Sequence, residues 1–117
     1  MDILKEATPV ARKEHKCMFC YGTIRKGQKY LRQTNICDGI VGDWVCHMEC
    51  QTVARELGMY DNCDPDYGLS DEAFGETINE YIYNEHYDRE NDDIQEDWQG
   101  LTRYQEVLKI LNELEIK

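Results

Sequence analysis

Hydrophobic positions along the chain change period twice, and each change marks an element. From Lys29 to Thr34 the residues are rich in strand formers, and Asp38-Gly39 is a hairpin-turn signal. Ile40-Val41 and Trp44-Val45-Cys46 supply the return strand, with a bulge or second turn expected at Gly42-Asp43. From His47 the pattern becomes helical: Cys50, Val53, Ala54 and Leu57 share one face, and Gly58 is the stop. Tyr60 to Leu69 is rich in Asp, Asn, Pro and Gly and reads as a linker or turn. Ser70 before Asp71 and Glu72 is an N-cap with acids in the first turn. The helix it starts places Phe74, Ile78, Tyr81 and Ile82 at helical spacing. Residues 88–97 are too charged to bury much and read as a mobile connection. Thr102 caps a last helix with Tyr104, Val107, Leu108, Leu111 and Leu114 on one face, a stripe suited to core or docking.

These elements describe a small α+β protein in two parts, a finger over residues 1–60 and an acidic helical segment over 61–117. With 117 residues, 32% of them charged, and a mean hydropathy of −0.74, the chain has little apolar material for a core. A metal that ties several segments together is a physical substitute. No apolar run reaches the ~18–20 residues of a membrane span. Met1-Asp2-Ile3-Leu4-Lys5-Glu6 lacks the basic-then-apolar layout of a secretion signal, which leads us to expect a cytoplasmic protein.

Six cysteines in a secreted chain would suggest three disulfides. In a reducing compartment, with two of them in a Cys-x-x-Cys pair, metal binding is the better reading. Cys17-x2-Cys20 is followed, after 26 residues, by His47-x2-Cys50. Zn²⁺ in structural sites takes four soft or borderline donors in a tetrahedron, and Cys3His is a common set. The first pair converges in a turn; the second occupies positions i and i+3 of a helix start, which share a face. We therefore expect one structural Zn²⁺ bound by Cys17, Cys20, His47 and Cys50. A redox Cys-x-x-Cys would need a βαβ setting that this stretch lacks. Cys46 should point away from the metal as a small buried residue, Cys37 and Cys63 are spaced as neither a pair nor half a site, and His86 reads as a solvated helix residue.

This layout resembles the treble-clef zinc fingers, in which a knuckle and a hairpin are followed by a helix whose first turn completes the site. Within that group it resembles the poly(ADP-ribose) polymerase type. The matching residues are Cys17-x2-Cys20-x3-Ile24-x-Lys26-Gly27, Asp38-Gly39, Trp44 and His47-x2-Cys50, within residues 12–58. It is also similar to small finger proteins of bacteria and their phages that join such a head to a short acidic part. The resemblance implies a treble clef followed by two helices, and polymerase-type fingers bind broken or unpaired DNA. Treble clefs also underlie HNH-type nucleases, but no histidine lies between Cys20 and His47 to serve as their catalytic base. Asp64-Pro65-Asp66-Tyr67-Gly68 departs from a calcium loop at Gly68 and Leu69 and reads as an acidic turn.

Charge is unevenly distributed. Residues 1–60 carry nine Lys/Arg against seven Asp/Glu, whereas residues 61–97 carry Arg89 alone against fourteen acids. The first functional expectation is a non-enzymatic, zinc-stabilised binding module of phage or mobile-element accessory type in a bacterial or phage-infected cell. It would grip a basic, nucleic-acid-binding host protein through Glu76, Glu80, Glu85 and Asp88. The bland competitor is that these acids only solvate the surface. The alternative is nucleic-acid binding by the hairpin cations Arg25, Lys26, Lys29 and Arg32, with Tyr30 or Trp44 stacking on a base.

Overall fold

The computed structural model describes residues 2–37, 39–63 and 68–116, and it is an α+β arrangement of antiparallel sheets and three α-helices. Its main sheet has the order β1-β4-β5, with β1 at Asp2–Ala7, β4 at Tyr30–Cys37 and β5 at Ile40–His47. β4 and β5 pair without a break, from Tyr30 opposite His47 to Cys37 opposite Ile40. Gly39 takes φ +79° in the two-residue connection, a conformation that favours glycine, while Asp38 lies outside the described residues.

The interruption expected at Gly42-Asp43 is not there. Gly42 faces Asn35 and Asp43 faces Thr34 in continuous register. Asp43 is kept in the strand by cross-strand partners: its carboxylate accepts from Thr34 Oγ1 at 3.0 Å and from Arg32 at 2.5 Å. The irregularity sits in β1 instead, where the register against β4 slips between Ile3 and Lys5. That strand was not expected from the sequence.

Two short strands, β2 (His15–Lys16) and β3 (Thr23–Ile24), bracket the Cys17–Cys20 turn. β5 runs directly into α1, Met48–Glu56, which buries Cys50, Val53 and Ala54. Gly58 ends it at φ +69° and leads into a 3₁₀ turn, Met59–Asn62. The Asp64-Pro65-Asp66-Tyr67 part of the expected turn lies outside the described residues. α2, Asp71–Glu85, is capped as expected, with Ala73 N–H donating to Ser70 Oγ at 3.1 Å. It buries Phe74, Ile78 and Ile82 and half-buries Tyr81.

The charged stretch after α2 is a hairpin rather than a structureless connection: β6 (Tyr87–Asp88) pairs with β7 (Asp93–Ile94). Acidic side chains build its turn. Asp88 accepts from Glu90 N–H at 3.0 Å and Asn91 Nδ2 at 2.8 Å, and Asp92 adopts φ +51°. Buried Trp98, stacked on His86 at 4.2 Å, anchors the hairpin's exit. His86 is accordingly no solvated residue. Nε2 lies 2.8 Å from Glu113 and Nδ1 lies 3.2 Å from Gln95.

α3, Arg103–Ile116, opens on a reciprocal box: Gln105 N–H donates to Thr102 Oγ1 at 3.1 Å, and Thr102 N–H to Gln105 Oε1 at 2.9 Å. Its buried residues are Val107 and Ile110, flanked by half-buried Tyr104, Leu111 and Leu114. Leu108, expected on that face, is exposed. It stands one residue past Val107, about 100° around the helix. One hydrophobic core runs from Phe19 and Leu31 through Val53 to Phe74, Trp98 and Ile110. Phe19 ties its halves, stacking on Phe74 at 4.5 Å and meeting Trp44 edge-on at 4.9 Å.

Candidate metal centre

Cys17, Cys20, His47 and Cys50 are brought together, and their donor atoms all lie within 4.8 Å of one another. The local backbone explains how. Cys17 N–H donates to Gly22 O and Tyr21 N–H to Cys17 O, both at 2.9 Å, which folds residues 17–22 into a tight knuckle. Tyr21 takes φ +61° to complete it. Met18 N–H donates to Val45 O at 2.9 Å, pinning the knuckle beside β5. His47 ends that strand and is the N-cap of α1, so Cys50 follows in the first helical turn.

Three of the donor separations are close to the edges of a metal tetrahedron. Cys17 Sγ and Cys50 Sγ are 3.8 Å apart, as are Cys50 Sγ and His47 Nδ1, and Cys20 Sγ is 3.3 Å from the same nitrogen. Ligand bonds of about 2.0–2.3 Å give tetrahedral edges of about 3.5–3.8 Å. Backbone N–H groups from His47 and Gly22 point at Cys17 Sγ (3.4 Å) and Cys20 Sγ (3.3 Å). The imidazole is oriented from behind. Nε2 donates to Thr23 O at 3.1 Å, leaving the Nδ1 lone pair directed at the sulfurs.

Within the cluster the four groups act on one another's protons. Hydrogen bonds from Cys20 and Cys50 hold the Cys17 thiol far below its ordinary value against the effect of burial. Cys50, sharing those bonds, is driven up in exchange. Burial opposes charge on His47, but hydrogen bonds to Cys17 and Cys20 outweigh it and raise the imidazole to about 10. All four residues are buried, so the group fits one structural metal site.

Tyr104 of α3 closes the site. Its ring stacks on His47 at 3.9 Å and 21°, and its hydroxyl donates to Glu49 at 2.9 Å and accepts from Gln28 Nε2 at 3.3 Å. Burial and then Glu49 raise the Tyr104 phenol above its usual range, keeping it a donor. Gly22 lies close beneath the site: a Cβ there would be tight against Cys20 Sγ at 3.3 Å and in ordinary contact with His47 and Tyr104 at 3.5 Å. The sequence reading placed Tyr104 on a core stripe but not on the site. Only the contact between distant segments reveals that role.

Cys46 and Cys63 stay apart from this group, and the Cys37 side chain lies outside the described ones. Cys46 is fully buried, and burial pushes its thiol up to about 12. Cys63 donates to Tyr60 O at 3.2 Å. Of the hairpin cations, Arg32 lines a groove on the sheet face, whereas Arg25 lines a separate cleft with Tyr21 and Gln28. Lys26 and Lys29 are both exposed, and neither lines the groove that holds Arg32. Glu76, Glu80 and Glu85 are exposed on α2, while Asp88 is half-buried and engaged in its turn. No helix among the described residues is long and apolar enough to cross a membrane. Comparison with models of protein families, with curated proteins and with solved structures returns no match.

Proposed function

We propose that this chain is a non-enzymatic binding module whose fold is completed by one zinc ion in a treble-clef setting. The observation that carries this reading is the buried Cys3His quartet, whose donor atoms lie within 4.8 Å of one another. Three thiolates and an imidazole suit zinc in hardness and geometry, and four protein donors leave no open position for a catalytic water. The order of knuckle, β4–β5 hairpin and α1 supports the treble clef. When bound, zinc supplies the charge that three neighbouring sulfurs require and joins segments 30 residues apart, Cys17 and His47.

The surface that meets a partner is, in this reading, the acidic side of α2. Phe74, Ile78 and Ile82 face inward, which leaves Glu76, Glu80 and Glu85 on the outer side. Such an array suits a basic protein surface and gives association that is steep in salt.

Native mass spectrometry and metal analysis test the first part. One zinc per chain is expected, lost on Cys17→Ser or Cys50→Ser but retained on Cys63→Ser. Chelation should unfold the finger, and a metal-free chain of undiminished stability would refute the proposal. For the surface, combined Glu76→Gln, Glu80→Gln and Glu85→Gln should slow association with a basic host partner without loss of zinc. Association indifferent to both salt and these changes would assign the acids to solvation alone.

A further inference from the structure

On the face of the main sheet lies a groove of about 610 Å³, within the range of small-molecule sites. Four cations line it: Lys5 from β1, Arg32 from β4, and Arg12 and Lys13 from the segment leading to β2. Among the described residues, no carboxylate joins them in the lining. In a chain of net charge −11 this is a local reversal of sign.

The groove is held in shape by backbone bonds. Tyr30 N–H donates to Pro9 O at 3.1 Å, Ala11 N–H to Gln28 O at 2.9 Å and Gly27 N–H to Ala11 O at 2.8 Å. The wall carrying Arg12 and Lys13 is thus tied to the loop before β4. Between the cations the lining is apolar and aromatic: Ala7 and Pro9 line it, Val10 is 60% exposed, and the His15 ring lies 5.0 Å from Tyr30 at 33°. Converging positive charge beside an apolar and aromatic wall suits an anion joined to a planar ring.

We propose that this groove binds a compact phosphorylated ligand bearing a nucleobase, with Lys5, Arg12, Lys13 and Arg32 on the phosphate and the Val10–His15 side against the base. Size and charge both favour a compact ligand over a polymer. The fourteen acids of residues 61–97 repel an extended polyanion, whereas charges inside a groove dominate within the ~8 Å screening length. A free nucleotide and the terminal nucleotide of a strand share this chemistry. Arg32 is only partly engaged, since its Nη2 donates to Asp43 at 2.5 Å and the fork has further donors.

The test is calorimetric titration of the zinc-loaded full chain with ADP at low salt, beside adenosine, inorganic phosphate and 5′-phosphorylated oligothymidylates of two lengths. ADP should bind saturably, phosphate more weakly and adenosine least. Arg12→Glu and Lys13→Glu should each weaken ADP binding about tenfold or more, as a lost charge-assisted bond predicts. Lys26→Glu, outside the groove, should leave it unchanged, and Asp43→Asn should tighten it by releasing Arg32. Short and long oligonucleotides binding equally, or not at all, both support a compact site and distinguish the strand end from the free nucleotide. Affinity that grows with strand length overturns it, as does ADP binding that is absent or indifferent to Arg12→Glu and Lys13→Glu. Zinc content measured on the same samples separates failure of this site from failure of the metal reading.

Discussion

Removing the Tyr104 ring should loosen both the C-terminal helix and the metal. The ring stacks on His47, so it connects α3 to one member of the Cys/His quartet across the fold. An aromatic stack contributes about 0.5–1.5 kcal/mol beyond its area, and truncating a fully buried aromatic costs about 3–5 kcal/mol. Tyr104 is half-buried, so Tyr104→Ala should cost about 2–3 kcal/mol, or about 8–12 °C in Tm for a chain this size. Tyr104→Phe keeps the ring and loses only the hydroxyl's bonds to Glu49 and Gln28, for about 1 kcal/mol. A neighbour that orients a ligand also changes metal retention, by about tenfold in comparable sites. Thermal melts of the zinc-loaded variants and competition with a chromogenic chelator measure the two effects. If Tyr104→Ala melts with the parent and holds zinc as tightly, the stack is incidental. If Tyr104→Phe is as damaging as Tyr104→Ala, the hydroxyl network and not the ring is the link.

Phe74→Ala removes a fully buried ring from its stack on Phe19 and should cost about 3–5 kcal/mol in urea denaturation. Gly58→Ala places a Cβ at φ +69° and should cost about 1 kcal/mol in the same assay, because left-handed backbone disfavours L side chains. Burial raises the Glu106 carboxyl, with Arg103 opposing. Its folded pKa therefore exceeds its unfolded one, so its contribution favours folding fully below the unfolded carboxyl range and is lost as pH rises through the folded pKa. Glu106→Gln should remove that slope from a stability-against-pH series without loss at neutral pH; a steeper slope in the variant would contradict the sign.

What the sequence revealed followed from local chemistry. The ligand pairs are spaced by rules that hold within one turn of backbone, and Ser70 and Thr102 mark helix starts through bonds made three residues away. What it concealed depended on partners far along the chain. β1 offers no alternating pattern, since both Ile3 and Leu4 are exposed, and it is a strand because β4 supplies an edge. Lys5 reaches the sheet-face groove only through that pairing. The hairpin after α2 hid behind its charge: Asp88 and Asp92 read as solvated acids but set the turn, and the burial of Trp98 secures it. Leu108 and Ile110 exchanged roles because apolar spacing fixes a stripe only to within a residue on either side.

The Phe19–Phe74 stack also bears on the order in which the chain assembles. β4 and β5 are joined by a two-residue connection, so their pairing closes a short loop and should form early during synthesis. A metal held by the quartet would then join the knuckle to the start of α1 before Tyr104 has emerged to stack on His47. Phe19, carried inside that knuckle, finds its partner only after α2 has emerged. A ribosome-bound finger would therefore display an uncovered aromatic face beside Trp44, and a stalled or truncated product ending before Phe74 should be sticky even when zinc is in place.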